Sequence, residues 1–121
     1  MKVAGFGFRK GAGVDSLIAA LEAAGGREGV TLVATVVDKA DATAFQALAE
    51  RLALPINAVP GEALPLAAVA TQSEKSKAMY GTGSLSEAVA LIAAGPNARL
   101  LSARAISPDT MATCAIAEVG Q

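Results

Sequence analysis

Val30-Thr31-Leu32-Val33-Ala34-Thr35-Val36-Val37 is the stretch that decides the fold class. The run is rich in β-branched residues and is apolar on both faces of a strand, which is typical of the middle of a parallel sheet. Several alanine-rich segments would suit an all-helical bundle. The β-branched residues from Thr31 to Val37 are hard to place in such a bundle, because they lose side-chain freedom in a helix.

The segment before this run predicts a strand, a glycine loop and a helix. Lys2 to Phe8 reads as a buried strand, and a helix is predicted from about Val14 to Ala24. Between them lies Gly7-Phe8-Arg9-Lys10-Gly11-Ala12-Gly13. Strand, glycine loop and helix in this order commonly hold a phosphate or carboxylate group. The spacing matches neither the dinucleotide fingerprint nor the Walker P-loop, so a nucleotide site would rest on general shape alone.

The segment after the central run predicts a second and a third β-α unit. A helix is expected from about Ala42 to Leu52, with Asp41 as its N-cap. Pro55 to Pro60 predicts a short third strand, and Gly61 begins a brief helical segment that continues to about Val69. The chain therefore has three predicted β-α units in succession, which favours a parallel sheet with helices on its faces.

The last segment of the chain predicts an antiparallel hairpin. Two apolar runs, Arg99 to Ala105 and Met111 to Val119, flank Ser107-Pro108-Asp109-Thr110. Proline followed by aspartate between apolar runs indicates a turn. We therefore expect one domain over residues 1–121, a three-layer α/β domain with a mostly parallel central sheet and a C-terminal antiparallel β-hairpin.

A second glycine motif, Gly81-Thr82-Gly83-Ser84-Leu85-Ser86-Glu87, places a flexible turn directly before a strong helix start. Ser84 and Glu87 have the spacing of a capping box, in which the Ser84 hydroxyl accepts from the Glu87 N–H and the Glu87 carboxylate accepts from the Ser84 N–H. The helix dipole and the glycine turn would suit an anion at Gly81 to Ser84. Alternatively the motif is only a well-capped helix. Thr71-Gln72-Ser73-Glu74 is a second candidate capping box.

Composition excludes several classes of function. The net charge is −1 and aromatic residues are few, so no basic surface for nucleic acid is indicated. The chain has no histidine and a single cysteine, Cys114, which excludes His/Cys zinc sites and histidine-activated nucleophiles. No apolar run is long enough to cross a membrane, and the N-terminus lacks a signal-peptide pattern, so we expect a cytoplasmic protein. No metal site and no cofactor are predicted.

Two cations follow the first two predicted strands and are candidate ligand-binding residues. Arg9 follows the first strand and Lys39 follows the second. The strand ends that carry β-α loops form the ligand crevice of an open α/β sheet, so both side chains should project from the same edge. Lys10 and Gly11 in the glycine loop belong to the same candidate site. Alternatively, Arg9 and Lys39 are solvated surface charges.

Four motifs in order resemble the CobE / CbiG C-terminal domain family of cobalamin biosynthesis. They are Gly5-Phe6-Gly7-Phe8-Arg9-Lys10-Gly11, Asp38-Lys39, Gly81-Thr82-Gly83-Ser84-Leu85-Ser86-Glu87-Ala88 and Thr113-Cys114-Ala115-Ile116-Ala117. Each motif is short, but all four in this order are much more specific than any one. Where the family usually has a lysine after the strand at Leu100-Leu101, this chain has Arg104, which keeps the charge but would not act as a base.

The resemblance implies an α/β domain that acts on a precorrin or corrinoid intermediate. Such macrocycles carry acetate and propionate side chains around a broad apolar ring, and Arg9, Lys39 and the Gly81 to Ser84 turn would bind them. The first hypothesis is a binding protein or pathway accessory, with other cobalamin-pathway enzymes as possible partners. The second is a hydrolase that opens the ring lactone and releases acetaldehyde, as CbiG proteins do, with Glu87 or Asp38 as general base. The capping role of Glu87 speaks against the second, because it lowers the pKa of the carboxyl.

Overall fold

A computed structural model describes residues 1–119, except for the side chain of Lys75. Its centre is a five-stranded sheet in the spatial order β3-β2-β1-β5-β4. The strands are β1 (Lys2–Phe8), β2 (Val30–Val36), β3 (Ile56–Val59), β4 (Ala98–Ile106) and β5 (Ala112–Val119). The central run of the sequence therefore forms β2, between two parallel neighbours.

Four α-helices and two short 3-10 helices connect the strands. The α-helices are α1 (Val14–Ala24), α2 (Thr43–Leu52), α3 (Glu74–Tyr80) and α4 (Leu85–Ala94). The 3-10 helices are Val37–Lys39 and Gly61–Leu66. In the part of the chain that the structure describes, no helix has the length and apolarity needed to cross a membrane.

The strand pairing confirms the predicted architecture. β1 pairs in parallel with β2, and β2 pairs in parallel with β3. β5 pairs antiparallel with both β1 and β4, so the C-terminal hairpin extends the sheet beyond β1. Four of the five strands consequently run in the same direction, and the ends of β1, β2 and β4 meet at one edge of the sheet.

Two apolar cores, one on each face of the sheet, produce the three layers. On one face α1 and α2 pack through residues that include Leu17, Phe45 and Leu48. On the other face α4 packs through Val89 and its neighbours. A Cβ atom added to Gly5 would lie 2.3 Å from the Ser86 carbonyl oxygen, so only glycine allows α4 to approach β1 this closely.

The helix starts differ from the sequence predictions at two positions. Ala42, not Asp41, is the N-cap residue of α2, and no side chain caps that helix. Ser73, not Thr71, caps α3, because its hydroxyl accepts from the Ser76 N–H at 3.3 Å. The segment predicted to be helical from Gly61 to about Val69 is a 3-10 helix that ends at Leu66. The prediction for α1 is confirmed at both ends.

Candidate functional site

A wide cleft lies at the sheet edge where β1, β2 and β4 end, and we call it the main cleft. Its volume is about 770 Å³, within the range of about 300–1,000 Å³ typical of small-molecule sites. Residues at or just after these strand ends, around the start of β5, on α3 and at the start of α4 surround it. They are Gly7, Phe8, Arg9, Lys10, Lys39, Ser73, Ser76, Met79, Tyr80, Leu85, Arg104, Ile106, Thr110, Met111, Ala112 and Thr113.

Large apolar side chains form part of the lining of the main cleft. Met79 on α3 is 62% exposed and Ile106 at the end of β4 is 48% exposed, which is unusual for large apolar residues. Phe8 forms part of the lining and stacks on Phe45 of the core, with 5.9 Å between ring centroids. A broad apolar ligand would cover these surfaces and remove them from water.

Cations concentrate around the main cleft. Arg9, Lys10, Lys39 and Arg104 all line it, and none of the described lining residues is an aspartate or glutamate. Arg9 and Lys10 are exposed, whereas Lys39 and Arg104 are partly buried. A cleft lined by charges of one sign attracts ligands of the opposite sign, although the whole chain has a net charge of only −1.

The ammonium of Lys39 is held in place by contacts with Phe8. Its Nζ donates to the Phe8 carbonyl oxygen at 2.7 Å and lies 5.0 Å from the centroid of the Phe8 ring. These contacts join the end of β2 to the end of β1. They confirm that Lys39 projects from the same sheet edge as the loop that carries Arg9.

Tyr80 contributes a hydroxyl to the main cleft. Burial raises the pKa of Tyr80, and the negative charge of Asp38 raises it further. The phenol therefore stays neutral at physiological pH and can donate a hydrogen bond to a ligand oxygen. Asp38 is exposed and is not a lining residue of the main cleft.

Glu87 has a different role from the one that its spacing predicted. The Ser84 hydroxyl does accept from the Glu87 N–H, at 3.3 Å, so half of the capping box is confirmed. The other half is wrong, because the Ser84 N–H lies near the Thr82 hydroxyl and the Glu87 carboxylate points elsewhere. That carboxylate accepts from the N–H groups of Ala70, Thr71 and Arg104 and from the Thr71 hydroxyl, at 2.7 to 2.9 Å.

These four hydrogen bonds explain how a fully buried carboxylate persists. Burial by itself raises the pKa of Glu87, but the hydrogen bonds from Thr71, Arg104 and Ala70 outweigh burial and leave the pKa lowered. The side chain has no exposed surface and does not line the main cleft. Glu87 is thus poorly suited to be a general base toward a water molecule in that cleft.

The turn at Gly81 to Ser84 is separate from the main cleft. Gly81 is exposed and has the left-handed φ of 72°, whereas Thr82, Gly83 and Ser84 are buried. A Cβ atom on Gly83 would lie 2.5 Å from the Thr71 carbonyl oxygen, so the chain itself occupies the space next to this glycine. Gly81, Thr82 and Gly83 line a smaller cleft of about 470 Å³ instead.

The predicted ligand-binding residues therefore fall into two groups. Arg9, Lys10 and Lys39 meet at the main cleft, whereas none of the four residues from Gly81 to Ser84 lines it. Gly11 is exposed with a φ of 92° and also does not line it. Sequence reasoning missed the α3 residues Met79 and Tyr80, and the apolar pair Met79-Tyr80 just before Gly81 was the available signal.

Comparisons with known proteins agree with this architecture. The family model described as "Cobalamin synthesis G C-terminus" matches residues 2–117. No match was found among curated protein sequences.

Solved structures with the same fold include two that cover nearly all of this chain and of their own. The crystal structure of CobE, a protein from the cobalamin (vitamin B12) biosynthetic pathway, has a TM-score of 0.87 and 27% identity, covering 99% of this chain and 91% of CobE. Cobalamin biosynthesis protein chiG from Agrobacterium tumefaciens str. C58 has a TM-score of 0.75 and 34% identity, with 100% of both chains covered.

A third structure shares the fold within a longer chain. A protein described as a homolog of cobalamin biosynthesis protein G from Sulfolobus solfataricus has a TM-score of 0.71 and 20% identity. The match covers 98% of this chain and 37% of that protein.

Proposed function

This chain belongs to the cobalamin synthesis G C-terminal family, and from that premise we propose that it binds a polycarboxylate tetrapyrrole, a precorrin or corrinoid intermediate, in the main cleft. One observation carries the proposal. Four cations surround an apolar cleft of about 770 Å³ whose described lining contains no carboxylate. A ligand that fits must be broad, apolar in its body and negatively charged at its edge.

The chemistry of the ligand matches the two kinds of lining. The ring of a tetrapyrrole would cover Met79, Ile106 and Phe8, and its acetate and propionate arms would reach the cations of the lining. A charge-assisted hydrogen bond contributes about 1.5–3 kcal/mol. Three such bonds, with apolar burial to offset the cost of association, are sufficient for a dissociation constant of about 1 μM.

The proposal stops at binding and does not include hydrolysis. A lactone hydrolase of this fold would need a base next to the ring, and neither Glu87 nor Asp38 lines the main cleft. Arg104 stands at the third strand end of the cleft, but a guanidinium stays protonated and does not act as a base. Binding draws on the cations of the cleft and needs no group that the lining lacks.

Cobyrinic acid and cobinamide provide a matched pair of test ligands. Both contain the corrin ring, but the acetate and propionate arms are free acids in cobyrinic acid and amides in cobinamide. We expect cobyrinic acid to bind with micromolar affinity and cobinamide to bind far more weakly, because each charge-assisted contact that is lost weakens binding about tenfold or more. Binding of cobyrinic acid should also weaken as salt rises. Equal affinity for the two ligands, or no binding of either, would contradict the proposal.

Arg9→Ala and Arg51→Ala are the matched variants for this titration. Arg9 lines the main cleft, whereas Arg51 lies on α2, outside it, beside Asp15 at 3.7 Å. Both substitutions remove one positive charge. Only Arg9→Ala should weaken the binding of cobyrinic acid. An equal loss of affinity in both variants would indicate a nonspecific attraction by the whole surface.

A further inference from the structure

We propose that Glu87 is a positioning residue for the main cleft, which holds the backbone of Arg104 and thereby directs its guanidinium toward the ligand. The inference rests on the proposed function, because it assigns Arg104 to the recognition of a ligand carboxylate. Glu87 itself never touches the ligand.

β4 follows an irregular course near Arg104. The register between β4 and β5 shifts between Leu100 and Ser102 and again between Ser102 and Ala105. Arg104 lies in the second irregular stretch. Such bulges occur next to functional sites and redirect side chains, but they interrupt the ladder hydrogen bonds that would fix the backbone.

Glu87 supplies a hydrogen bond at this irregular position of β4. Its Oε2 accepts from the Arg104 N–H at 2.7 Å and from the Thr71 hydroxyl at 2.7 Å. Oε1 accepts from the N–H groups of Ala70 and Thr71, at 2.7 and 2.9 Å. A fully buried carboxylate on α4 thus replaces the missing strand partner of Arg104.

The Glu87 carboxylate also connects two sides of the main cleft. Arg104 forms one side, and Thr71 precedes Ser73, the cap of α3, which forms another. The Ser73 N–H donates to the Gly83 carbonyl oxygen at 2.7 Å, so the start of α3 is tied to the segment that leads into α4. Loss of the Arg104 contact would leave the other side of the cleft in place.

Glu87→Gln should break the contact with the Arg104 N–H and keep the contacts with the N–H groups of Ala70 and Thr71. An amide group at the Oε1 position would face two N–H donors, whereas at the Oε2 position it would face one N–H and a hydroxyl that can turn to accept. Glutamine therefore places its oxygen toward Ala70 and Thr71 and its amide toward Arg104. Thr71→Val is the matched control, because it removes only the hydroxyl bond to the same oxygen and leaves the Arg104 contact.

The test is a double-mutant cycle on cobyrinic acid binding. Glu87→Gln and Arg104→Ala should each weaken binding about tenfold, and the combined variant should bind no more weakly than Arg104→Ala alone. Thr71→Val should bind within about twofold of the unmodified protein. A purely structural Glu87 would give losses that multiply, and this outcome would overturn the inference. If Glu87→Gln does not fold, Glu87→Asp, which keeps the charge but is one methylene shorter, takes its place in the cycle.

Hydrogen exchange of the Arg104 amide tests the inference without any ligand. The amide should exchange slowly in the unmodified protein and in Thr71→Val, and faster in Glu87→Gln. An unchanged rate in Glu87→Gln would overturn the positioning role. If the unmodified protein does not bind cobyrinic acid, the proposed function fails, and the exchange measurement still decides whether Glu87 holds this backbone.

Discussion

Residues 9–13 and residues 81–84 both place Gly-x-Gly directly before a helix, but their surroundings are opposite. Arg9, Lys10 and Gly11 are exposed, and the first two line the main cleft. Thr82, Gly83 and Ser84 are buried beneath the chain around Thr71. A glycine motif before a helix therefore does not by itself mark a ligand site, because at Gly83 the close neighbour is the protein's own backbone.

The sharpest test of this difference is the same substitution in both motifs. In Gly83→Ala the new Cβ would lie 2.5 Å from the Thr71 carbonyl oxygen and 2.8 Å from the Gln72 Cα, so the backbone must shift. We expect a loss of about 3 kcal/mol in the free energy of unfolding. A Cβ atom on Gly13 would meet open space, and the φ of Gly13 is −96°. Gly13→Ala should therefore change the free energy of unfolding by less than about 1 kcal/mol. Urea unfolding measures both, and equal losses would remove the distinction.

A second test compares the polar residues of the two motifs. Arg9→Ala should weaken the binding of cobyrinic acid about tenfold. It should change the free energy of unfolding by less than about 0.5 kcal/mol, because the side chain is solvated. Ser84→Ala should show the reverse, since it removes the N-cap of α4 at a cost of about 1 kcal/mol without touching the main cleft. Titration and thermal unfolding of both variants check this expectation. Weaker binding by folded Ser84→Ala would show that the 81–84 turn and the main cleft form one binding site.

Acid provides a third test, directed at the buried region. A carboxyl whose pKa is lower in the folded chain stabilises the fold at pH values above its ordinary pKa, and this stabilisation is lost as pH falls through the lower folded value. For Glu87 the loss should begin near its ordinary value of 4.5 and continue below it. The stability difference between the unmodified protein and Glu87→Gln should therefore shrink below about pH 4.5, as measured by urea unfolding. A constant difference would contradict the ionised, hydrogen-bonded carboxylate.

The smallest effect is expected at Ser76, where α3 borders the main cleft. Its hydroxyl is buried and has no hydrogen-bond partner among the described residues. Ser76→Ala removes an unsatisfied polar group, so the free energy of unfolding should stay the same or rise by up to about 1 kcal/mol. A clear loss of stability by thermal unfolding would show that the hydroxyl is satisfied in solution.

Much of the fold could be predicted because its signals are local. The β-branched run of β2, the periodicity of α1 and the proline-aspartate turn between β4 and β5 each depend on neighbouring residues. The position of Lys39 also followed from topology, because strand ends of parallel β-α units meet at one edge. The N-cap of α2 was predicted wrongly, because the helix begins one residue later than the position of Asp41 requires and Ala42 occupies the cap position.

The sequence by itself determined the α/β class, because short-range propensity and period fix the helices and strands. It also determined the placement of Arg9 and Lys39 at a common edge, because the ends of parallel strands meet there. Only the tertiary structure decided that the Glu87 carboxylate binds Thr71 and Arg104, both more than ten residues away, and that the 81–84 turn is buried. Capping at Ser84 is a contact within one turn of helix, whereas the partners of a buried carboxylate depend on which distant segments pack over it.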